Sequence, residues 1–251
     1  MSITVEGLDR LRKALYLDTP IVAIYDGSAD PEAFRPSIAA RGRSCCFAYY
    51  DRWCKGETLV VERCDGDFER PSQGCPGLQR AVGLVSSYPA WMAHFLTDGK
   101  GAPMGEGLKA TPEIAQAFLD RARPVEPGGD RVLMGPLRVE HWDKVRSVTF
   151  FADPDRLSAL ITLASYWSSD PEEVVAPFSS GCGLMWRELV NQNRDRAILG
   201  ATDIAMRRYL PPHLMALSVS PARFQRMVNF PDDAFPCREW WKELATARHW
   251  G

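Results

Sequence analysis

Several features that define other protein classes are missing from this sequence. Its longest apolar runs, such as Ile21–Tyr25 and Val148–Ala152, have the length of a β-strand. A membrane-spanning helix needs roughly 18 or more apolar residues, so no membrane span is expected. The first residues lack the basic and apolar regions of a secretory signal peptide. We therefore expect a cytoplasmic protein that is neither exported nor inserted in a membrane.

Long basic runs are also missing. The formal net charge is −2, and the visible basic clusters are only Arg121/Arg123 and Arg207/Arg208. Binding to a nucleic-acid backbone depends on a clustered Lys and Arg surface. The sequence therefore argues against nucleic acid as a partner, and we interpret both clusters as solvated faces.

The signatures of common enzyme classes are absent as well. We find no Ser-His-Asp order, no GxSxG elbow and no paired-carboxylate signature. The glycine-rich stretch 97–110 lacks the GxxxxGK(S/T) motif of a phosphate-binding loop. We predict a flexible flap there, bearing Lys100, Glu106 and Lys109. Whether the protein is an enzyme stays open at this point.

Cysteine is the residue type that carries chemical information. Seven cysteines are an odd number, and without an export signal disulfides are a poor expectation. Cys75 and Cys182 each follow a glycine and precede a predicted helix, where backbone N–H groups stabilise a thiolate. Cys45 and Cys46 are adjacent, so only one of the two is expected to point inward. The pattern indicates a metal site made of Cys45 or Cys46, Cys75 and Cys182.

Glycines next to these cysteines fit the same hypothesis. Gly74, Gly181 and Gly183 would let the backbone approach a bulky inorganic cluster. Zinc is a weaker candidate, because the sequence has no CxxC pair and no HxxxH pair. The alternative is that the cysteines are small buried apolar residues. Cys54, Cys64 and Cys237 are interpreted as bystanders, although Cys64 lies near enough in sequence to Cys75 to be a fourth ligand or a resolving thiol.

Apolar periodicity predicts a fold of the α/β class, a mixed sheet with flanking helices in a single domain spanning 1–251. Helices are predicted over 8–17, 44–53, 76–85, 112–121, 154–166, 183–193, 222–228 and 238–247. Strands are predicted over 21–25, 58–61, 148–151, 197–201 and 215–219. Asp170-Pro171 has the pattern of a further helix start.

An internal repeat is a further prediction. Trp53 precedes a Val-Val pair by seven residues, and Trp167 precedes another Val-Val pair by the same interval. The pattern indicates two pseudo-symmetric halves, 18–123 and 131–228, packed as one compact unit. In this alignment Cys75 and Cys182 would occupy equivalent places.

Most of the chain resembles a known family. The resemblance is carried by SCCFAYYDRWCKGETLVV (44–61), GCPGLQRAVGL (74–84), GEGLKATPE (105–113), VTFFADPDRLSALITLASYW (148–167), APFSSGCG (176–183) and AILGATDIAMRRYLPPHLMALSVSPARFQRMV (197–228). These stretches are similar to the prokaryotic family called domain of unknown function 169. The resemblance implies no activity, but its recurring cysteines correspond to Cys45 or Cys46, Cys75 and Cys182. One departure is Pro76-Gly77, where relatives often carry two glycines.

The leading hypothesis is a protein that holds a [4Fe–4S] cluster through three of these cysteines. One iron would stay open to a small ligand or substrate, with Arg43, Arg80 and Glu106 nearby. One alternative is a metal-free protein in which the glycine-rich segment closes over an organic ligand. Another is a thiol-redox protein that uses Cys75 or Cys182. The Trp-rich C-terminal segment, with Trp240, Trp241 and Trp250, favours core packing or a homodimer.

Overall fold

A computed structural model describes residues 3–40, 45–63, 75–121, 129–178 and 195–250. Within these ranges the chain forms an eight-stranded mixed sheet with helices on both faces, which confirms the predicted α/β class. In the same ranges, no helix has the length and apolar character needed to cross a bilayer.

The strands are short, and most of them are buried. They are β1 (Val22–Tyr25), β2 (Ser37–Ala39), β3 (Thr58–Glu62), β4 (Arg131–Pro136), β5 (Val145–Ala152), β6 (Val174–Val175), β7 (Ala197–Gly200) and β8 (Met215–Val219). The α-helices are α1 (Val5–Ala14), α2 (Tyr50–Cys54), α3 (Pro76–Ala81), α4 (Met92–Phe95), α5 (Pro112–Arg121), α6 (Pro154–Ser165), α7 (Pro221–Val228) and α8 (Glu239–Ala247). Short 3₁₀ helices span Pro31–Ala33, Cys46–Tyr49, Val139–Lys144, Ile204–Tyr209 and Phe235–Cys237.

The strand order of the sheet is symmetric. It reads β2-β3-β4-β1-β5-β8-β7-β6, and each outer pair (β2 with β3, β6 with β7) is parallel while every inner pair is antiparallel. The strands β1–β4 therefore match β5–β8 in order and direction, with the two units joined by the β1–β5 pair. The sheet consists of two pseudo-symmetric halves.

The boundaries of these halves differ from those expected from the sequence. Strand β4 pairs with β1 and β3 and belongs to the first half, although the predicted second half begins at residue 131. The two Val-Val pairs are not equivalent either, because one lies in β3 and the other is β6. When the strand orders of the two halves are matched, β6 corresponds to β2 and not to β3. The equal intervals of seven residues from Trp53 and from Trp167 to a Val-Val pair are therefore a coincidence.

One face of the sheet is covered by α1, α6, α7 and α8. The helices begin at side-chain caps: Asp153 accepts a hydrogen bond from Arg156 N, and Ser220 accepts one from Arg223 N. Trp241 is buried in this core and donates its indole N–H to the carbonyl of Ala14 at 2.7 Å. The C-terminal helix therefore belongs to the core, while Trp240 on the same helix is exposed.

The opposite face carries a second core built around aromatic rings. Phe151 of β5 contacts the rings of Phe47, Tyr50 and Trp53 at centroid distances of 5.1–6.2 Å. Trp53 also donates its indole N–H to the carbonyl of Met134 at 3.1 Å. A smaller cluster formed by α4 and α5 lies above this layer. The gap between this core and that cluster forms the cavity described below.

Some local predictions were wrong in detail. The helix expected over 44–53 is a 3₁₀ turn followed by the short helix α2. At Asp170 the carboxylate accepts from Glu172 N, as a cap does, but the chain turns into β6 instead of a helix. Strands β2 and β4 were not predicted. The predicted helix 183–193 lies outside the described residues.

Candidate functional site

A cavity of about 280 Å³ lies between the second core and the α4–α5 cluster. Its walls are mainly apolar and aromatic, with a few polar side chains. The described residues that line it include Cys45, Cys75, Pro76, Gly77, Ala81, Tyr88, Trp91, Met92, Phe95, Leu96, Pro103, Met104, Glu106, Leu108, Phe118, Leu119, Phe178, Asp203, Ala205, Met206, Arg208 and Tyr209. An apolar concave site with few polar groups is the usual form of a small-molecule pocket.

Two of the predicted cysteines lie on this wall. Cys45 directly precedes the 3₁₀ helix Cys46–Tyr49, and Cys75 is the N-cap of α3. The Cys75 Sγ accepts a hydrogen bond from the Leu78 N–H at 3.3 Å, which fixes the position of the sulfur. Cys46 instead has no exposed surface and packs inside the second core. The structure therefore separates the two adjacent cysteines by their environment.

The glycine-rich segment, predicted to be a flap from its composition, folds back on the end of α4 and forms a lid over the cavity. Three amides of the segment, those of Glu106, Gly107 and Leu108, donate to carbonyls at the end of α4 at distances of 2.8–3.1 Å. Gly99 and Gly105 approach so closely that a Cβ on Gly105 would lie 2.7 Å from the Gly99 nitrogen. The lid is held by backbone bonds and by a glycine contact that no larger residue can make.

Three charged side chains meet at one side of the cavity. Glu106 comes from the lid, and Asp203 and Arg208 come from the connection between β7 and β8. Burial raises the pKa of Glu106 to about 7, the Asp203 carboxylate raises it as well, and the Arg208 guanidinium opposes both. Asp203 is 6% exposed and caps the 3₁₀ helix Ile204–Tyr209 by accepting from Ala205 N at 2.8 Å. Glu106 therefore changes charge near neutral pH.

Several of the lining rings already hold cations of the protein. The Lys109 ammonium lies 4.5 Å from the Phe118 ring centroid and 4.0 Å from that of Phe178. The Arg208 guanidinium lies 5.8 Å from the Tyr209 ring centroid. These distances fall within the range of attractive cation–π contacts. The rings of Phe118, Phe178 and Tyr209 are therefore in attractive contact with positively charged side chains of the protein.

The structure brings together Cys45, Cys75 and Glu106 from the predicted set. Arg80 lies close by, buried in α3 with its guanidinium 5.5 Å from the Tyr88 ring centroid. Cys54 and Cys237 are exposed. Seven of the residues considered from the sequence lie outside the described ranges: Arg43, Cys64, Gly74, Arg123, Gly181, Cys182 and Gly183.

Within the described ranges, no three His, Cys, Asp or Glu side chains are close enough together to hold a metal ion. Cys182, the third cysteine of the predicted site, lies outside those ranges. No disulfide links any two of the five cysteines that the structure describes.

Sequence reasoning missed the contribution of the second half. The sequence analysis does not predict Asp203 as a site residue, and it interprets both Arg207 and Arg208 as parts of a solvated face. Arg207 instead donates to the carbonyls of Leu214 and Pro212 at 2.5 and 2.9 Å, which pins the turn before β8. Arg208 is exposed but lines the cavity. The only sequence signal was the Asp before a short apolar segment, which marks a helix cap and not a site.

Comparison with known proteins assigns a family but no activity. A model of DUF169, described as "Uncharacterised ArCR", matches residues 10–229. No curated protein and no solved structure shows significant similarity to this chain. The matched region contains every strand of the sheet and every described residue that lines the cavity. The chain therefore belongs to the DUF169 family, a family of unknown function.

Proposed function

We propose that this chain is a cytoplasmic protein that binds a small, largely apolar organic molecule in the cavity beneath α4 and α5. The observation that carries the proposal is the cavity itself, an aromatic-walled space of about 280 Å³ closed by a hydrogen-bonded lid. Burial of an apolar ligand against such walls is favourable by roughly 25 cal/mol per Å² of apolar surface. The few polar groups at the wall would orient the ligand.

The size of the cavity limits the ligand. Typical ligand pockets span roughly 300–1,000 Å³. This cavity, at about 280 Å³, lies just below that range and accepts only a small molecule. Its polar groups are placed unevenly, with the thiols of Cys45 and Cys75 contributed by the first half of the sheet. The Asp203 carboxylate and the Arg208 guanidinium come from the second half. A ligand with one polar group on a compact apolar body matches this distribution.

The test uses benzyl alcohol as a neutral aromatic probe, followed by saturation-transfer NMR. Ala205→Phe places a ring inside the cavity, because Ala205 lines it. Ala247→Phe adds the same ring at an exposed position of α8, on the other face of the sheet, and serves as the matched control. We expect saturation transfer in the wild type and in the Ala247 variant, and its loss in the Ala205 variant.

Equal transfer in both variants would mean that the probe binds elsewhere. No transfer in the wild type, at probe concentrations up to the millimolar range, would remove the proposal. The thermal unfolding midpoint of each variant shows whether the fold is retained.

A second function is supported by the placement of Cys45 and Cys75 on one wall of the cavity. We propose that these two thiolates, together with Cys182, hold a [4Fe–4S] cluster. The donor chemistry fits, since cysteine thiolates are the usual ligands of such clusters and both residues line the same mainly apolar cavity. When bound, a cluster with three thiolate ligands supplies an open iron with Lewis-acid or redox reactivity.

Chain order supports Cys182 as the third ligand. Cys45 lies in the connection between β2 and β3, and Cys182 lies in the connection between β6 and β7. These connections are equivalent in the two halves, whereas Cys75 follows β3. The equivalence proposed from the sequence, between Cys75 and Cys182, is therefore replaced by one between the Cys45-Cys46 pair and Cys182.

The residues of the chain itself would each have a defined task around the cavity. Cys45 faces the cavity and is the better ligand candidate than Cys46, which is enclosed in the core. The Leu78 N–H holds the Cys75 sulfur in place. Glu106, with its pKa near 7, can give or take a proton at its carboxyl group at neutral pH. The lid and the aromatic side chains of the wall would limit the access of water.

Iron and acid-labile sulfide, measured on protein purified without oxygen from an iron-replete host, test this second function. About four of each per chain are expected for a [4Fe–4S] cluster. Cys45→Ala, Cys75→Ala and Cys182→Ala should each lower the content strongly, while Cys54→Ala, at an exposed position, should leave it unchanged.

Metal-free protein from such a host would remove the cluster and leave the cavity proposal standing. If one cysteine of that protein were then alkylated far faster than the others, the thiol-redox alternative would take its place.

A further inference from the structure

We propose that the ligand of the cavity is an electron-rich aromatic molecule, held by ring and sulfur contacts with the cavity wall. The assignment rests on the proposed ligand-binding function and names the chemical class of the ligand. Three features of the wall carry it: the rings that line the cavity, the positively charged side chains that lie close to some of these rings, and the sulfur atoms on the same wall.

Aromatic rings form a large part of the wall. Six of the described lining residues are aromatic: Tyr88, Trp91, Phe95, Phe118, Phe178 and Tyr209. Two pairs of these rings contact each other, Trp91 with Phe95 at a centroid distance of 6.0 Å and Phe118 with Phe178 at 5.7 Å. An aromatic ligand gains from contacts of the same kind, edge-to-face or offset-stacked, which a saturated ligand of equal size does not make.

Positively charged side chains of the protein lie close to four of the six rings. Their charged groups are 4.0–5.8 Å from the ring centroids, in the pairs Lys109 with Phe118, Lys109 with Phe178, Arg208 with Tyr209 and Arg80 with Tyr88. Each cation is attracted by the negative face of its ring and draws electron density towards itself. The rest of the ring surface is therefore less negative than in an isolated ring. Such rings attract an electron-rich aromatic partner and are poor partners for a second cation.

Sulfur is the third feature of the wall. Five of the described lining residues carry a sulfur atom: Cys45, Cys75, Met92, Met104 and Met206. Sulfur is polarizable, and a thioether makes favourable contacts with aromatic rings, often at the ring edge. Met92 and Met206 are 6% and 3% exposed, so these two side chains are withdrawn from solvent and line the cavity. An aromatic ligand would gain from these contacts, whereas a saturated ligand would not.

The test compares three uncharged probes of similar size by NMR titration: benzyl alcohol, cyclohexylmethanol and 3,5-difluorobenzyl alcohol. Cyclohexylmethanol has at least as much apolar surface as benzyl alcohol, so apolar burial alone would not favour the aromatic probe. We expect cyclohexylmethanol to bind about tenfold more weakly, because it lacks the ring contacts. The fluorine atoms withdraw electron density from the ring with little change of shape, and we expect about threefold weaker binding of that probe.

One variant connects the preference for an electron-rich ring to the cations of the wall. Lys109→Gln removes the charge over Phe118 and Phe178. The affinities for benzyl alcohol and its fluorinated analogue should then differ by only about 1.5-fold or less. Lys100→Gln is the matched control, since Lys100 belongs to the same lid, is 82% exposed and is not among the described residues that line the cavity. The control should keep the threefold difference of the wild type.

A second variant connects the preference for an aromatic ring to sulfur. Met206→Leu removes the thioether and nearly conserves the volume of the side chain. It should reduce the preference for benzyl alcohol over cyclohexylmethanol about twofold. Met227→Leu makes the same change in the core of the other sheet face and should leave that preference unchanged. The thermal unfolding midpoint shows whether each variant keeps the fold.

The outcomes separate this assignment from the proposal on which it rests. If cyclohexylmethanol binds as tightly as benzyl alcohol, the aromatic assignment is wrong and the ligand cavity stands. If the fluorinated probe binds as tightly as benzyl alcohol or more tightly, the ligand is not an electron-rich ring. Preferences that Lys109→Gln and Met206→Leu both leave intact also contradict the assignment. If none of the three probes binds, the cavity proposal and the aromatic assignment fail together.

Discussion

The two halves of the sheet share their strand order, but the equivalent connections β3–β4 and β7–β8 differ in length and in what they contribute to the cavity. In the first half, residues 63–130 join β3 to β4 and contain α3, α4 and α5. In the second half, the equivalent connection from β7 to β8 is residues 201–214, with one 3₁₀ helix. The long connection supplies the lid and most of the aromatic wall. The short one supplies Asp203 and Arg208.

This difference shows how a symmetric scaffold acquires an asymmetric site. The strands β1–β4 and β5–β8 provide equivalent frames, and only one of them carries the α4–α5 cluster. The cavity forms where that cluster meets residues of the other half. Substitutions in the shared frame should therefore affect the stability of the whole protein, whereas substitutions in the lid should affect the cavity.

The largest expected effect is on the free energy of unfolding, and it distinguishes Trp53 from Trp167, the two tryptophans that the predicted repeat aligns. Trp53 is 1% exposed and bonded to Met134, whereas Trp167 is 45% exposed. Trp53→Ala should lower the free energy of unfolding by about 3–5 kcal/mol, because it leaves a cavity and removes the hydrogen bond to the Met134 carbonyl. Trp167→Ala should change it by no more than about 0.5 kcal/mol. Urea denaturation measures both, and equal effects would contradict the distinction between core and surface.

A smaller effect is expected within the lid. A Cβ at Gly105 would meet the Gly99 and Thr97 backbone at 2.7 Å, so Gly105→Ala should destabilise the closed lid by about 1–3 kcal/mol. Amide exchange of Glu106 and Leu108 should accelerate correspondingly, by roughly tenfold per 1.4 kcal/mol.

The matched position for this lid variant is Gly107, which has open space around it and a φ of +64°. Gly107→Ala should cost only about 1 kcal/mol of local strain. The amide of Leu217 in β8 should keep its protection in both variants. If exchange in β8 accelerated together with that of the lid, the lid would not be a separable unit.

The smallest effect concerns the charge of Glu106. Its folded pKa of about 7 lies above that of an unfolded glutamate, so the folded state binds the extra proton between about pH 4.5 and 7. The stability associated with that proton is complete below pH 4.5 and is lost as the pH rises through 7. Because the side chain is only half-buried, we expect a penalty of about 1 kcal/mol at pH 8.

Glu106→Gln should therefore be more stable than the wild type by about 1 kcal/mol at pH 8 and equally stable at pH 4. Thermal unfolding at the two pH values checks the sign. A variant that is less stable at pH 8 than at pH 4, relative to the wild type, would mean that Glu106 is paired with a cation in the unliganded protein.

Elements with strong local signals were predictable from the sequence. Helix α5 begins at Pro112 as expected, because Thr111 and Pro112 form a helix start. The apolar runs of β1 and β8 were also recognised. Strand β4 was not, since its place between β3 and β1 depends on pairing with residues far away in sequence. The two-residue strand β6 is too short to have a period at all.

The candidate site was predictable only on its cysteine side. Cysteine has a distinctive chemistry that can be recognised from the sequence, and Cys45 and Cys75 do line the cavity. Asp203 comes from a connection that reaches the cavity only after the sheet has formed, and its local sequence indicates a cap alone. The choice between Cys45 and Cys46 likewise depends on tertiary packing, which places one at the cavity and the other in the core.

The most direct test of the ligand cavity is methyl NMR on protein labelled with ¹³C at the methionine methyl groups. Met92, Met104 and Met206 line the cavity, whereas Met215 and Met227 lie with the core of the other sheet face. Addition of benzyl alcohol should shift the first three resonances in a saturable manner and leave the last two unchanged. Shifts confined to Met215 and Met227, or the absence of any saturable shift, would contradict the account.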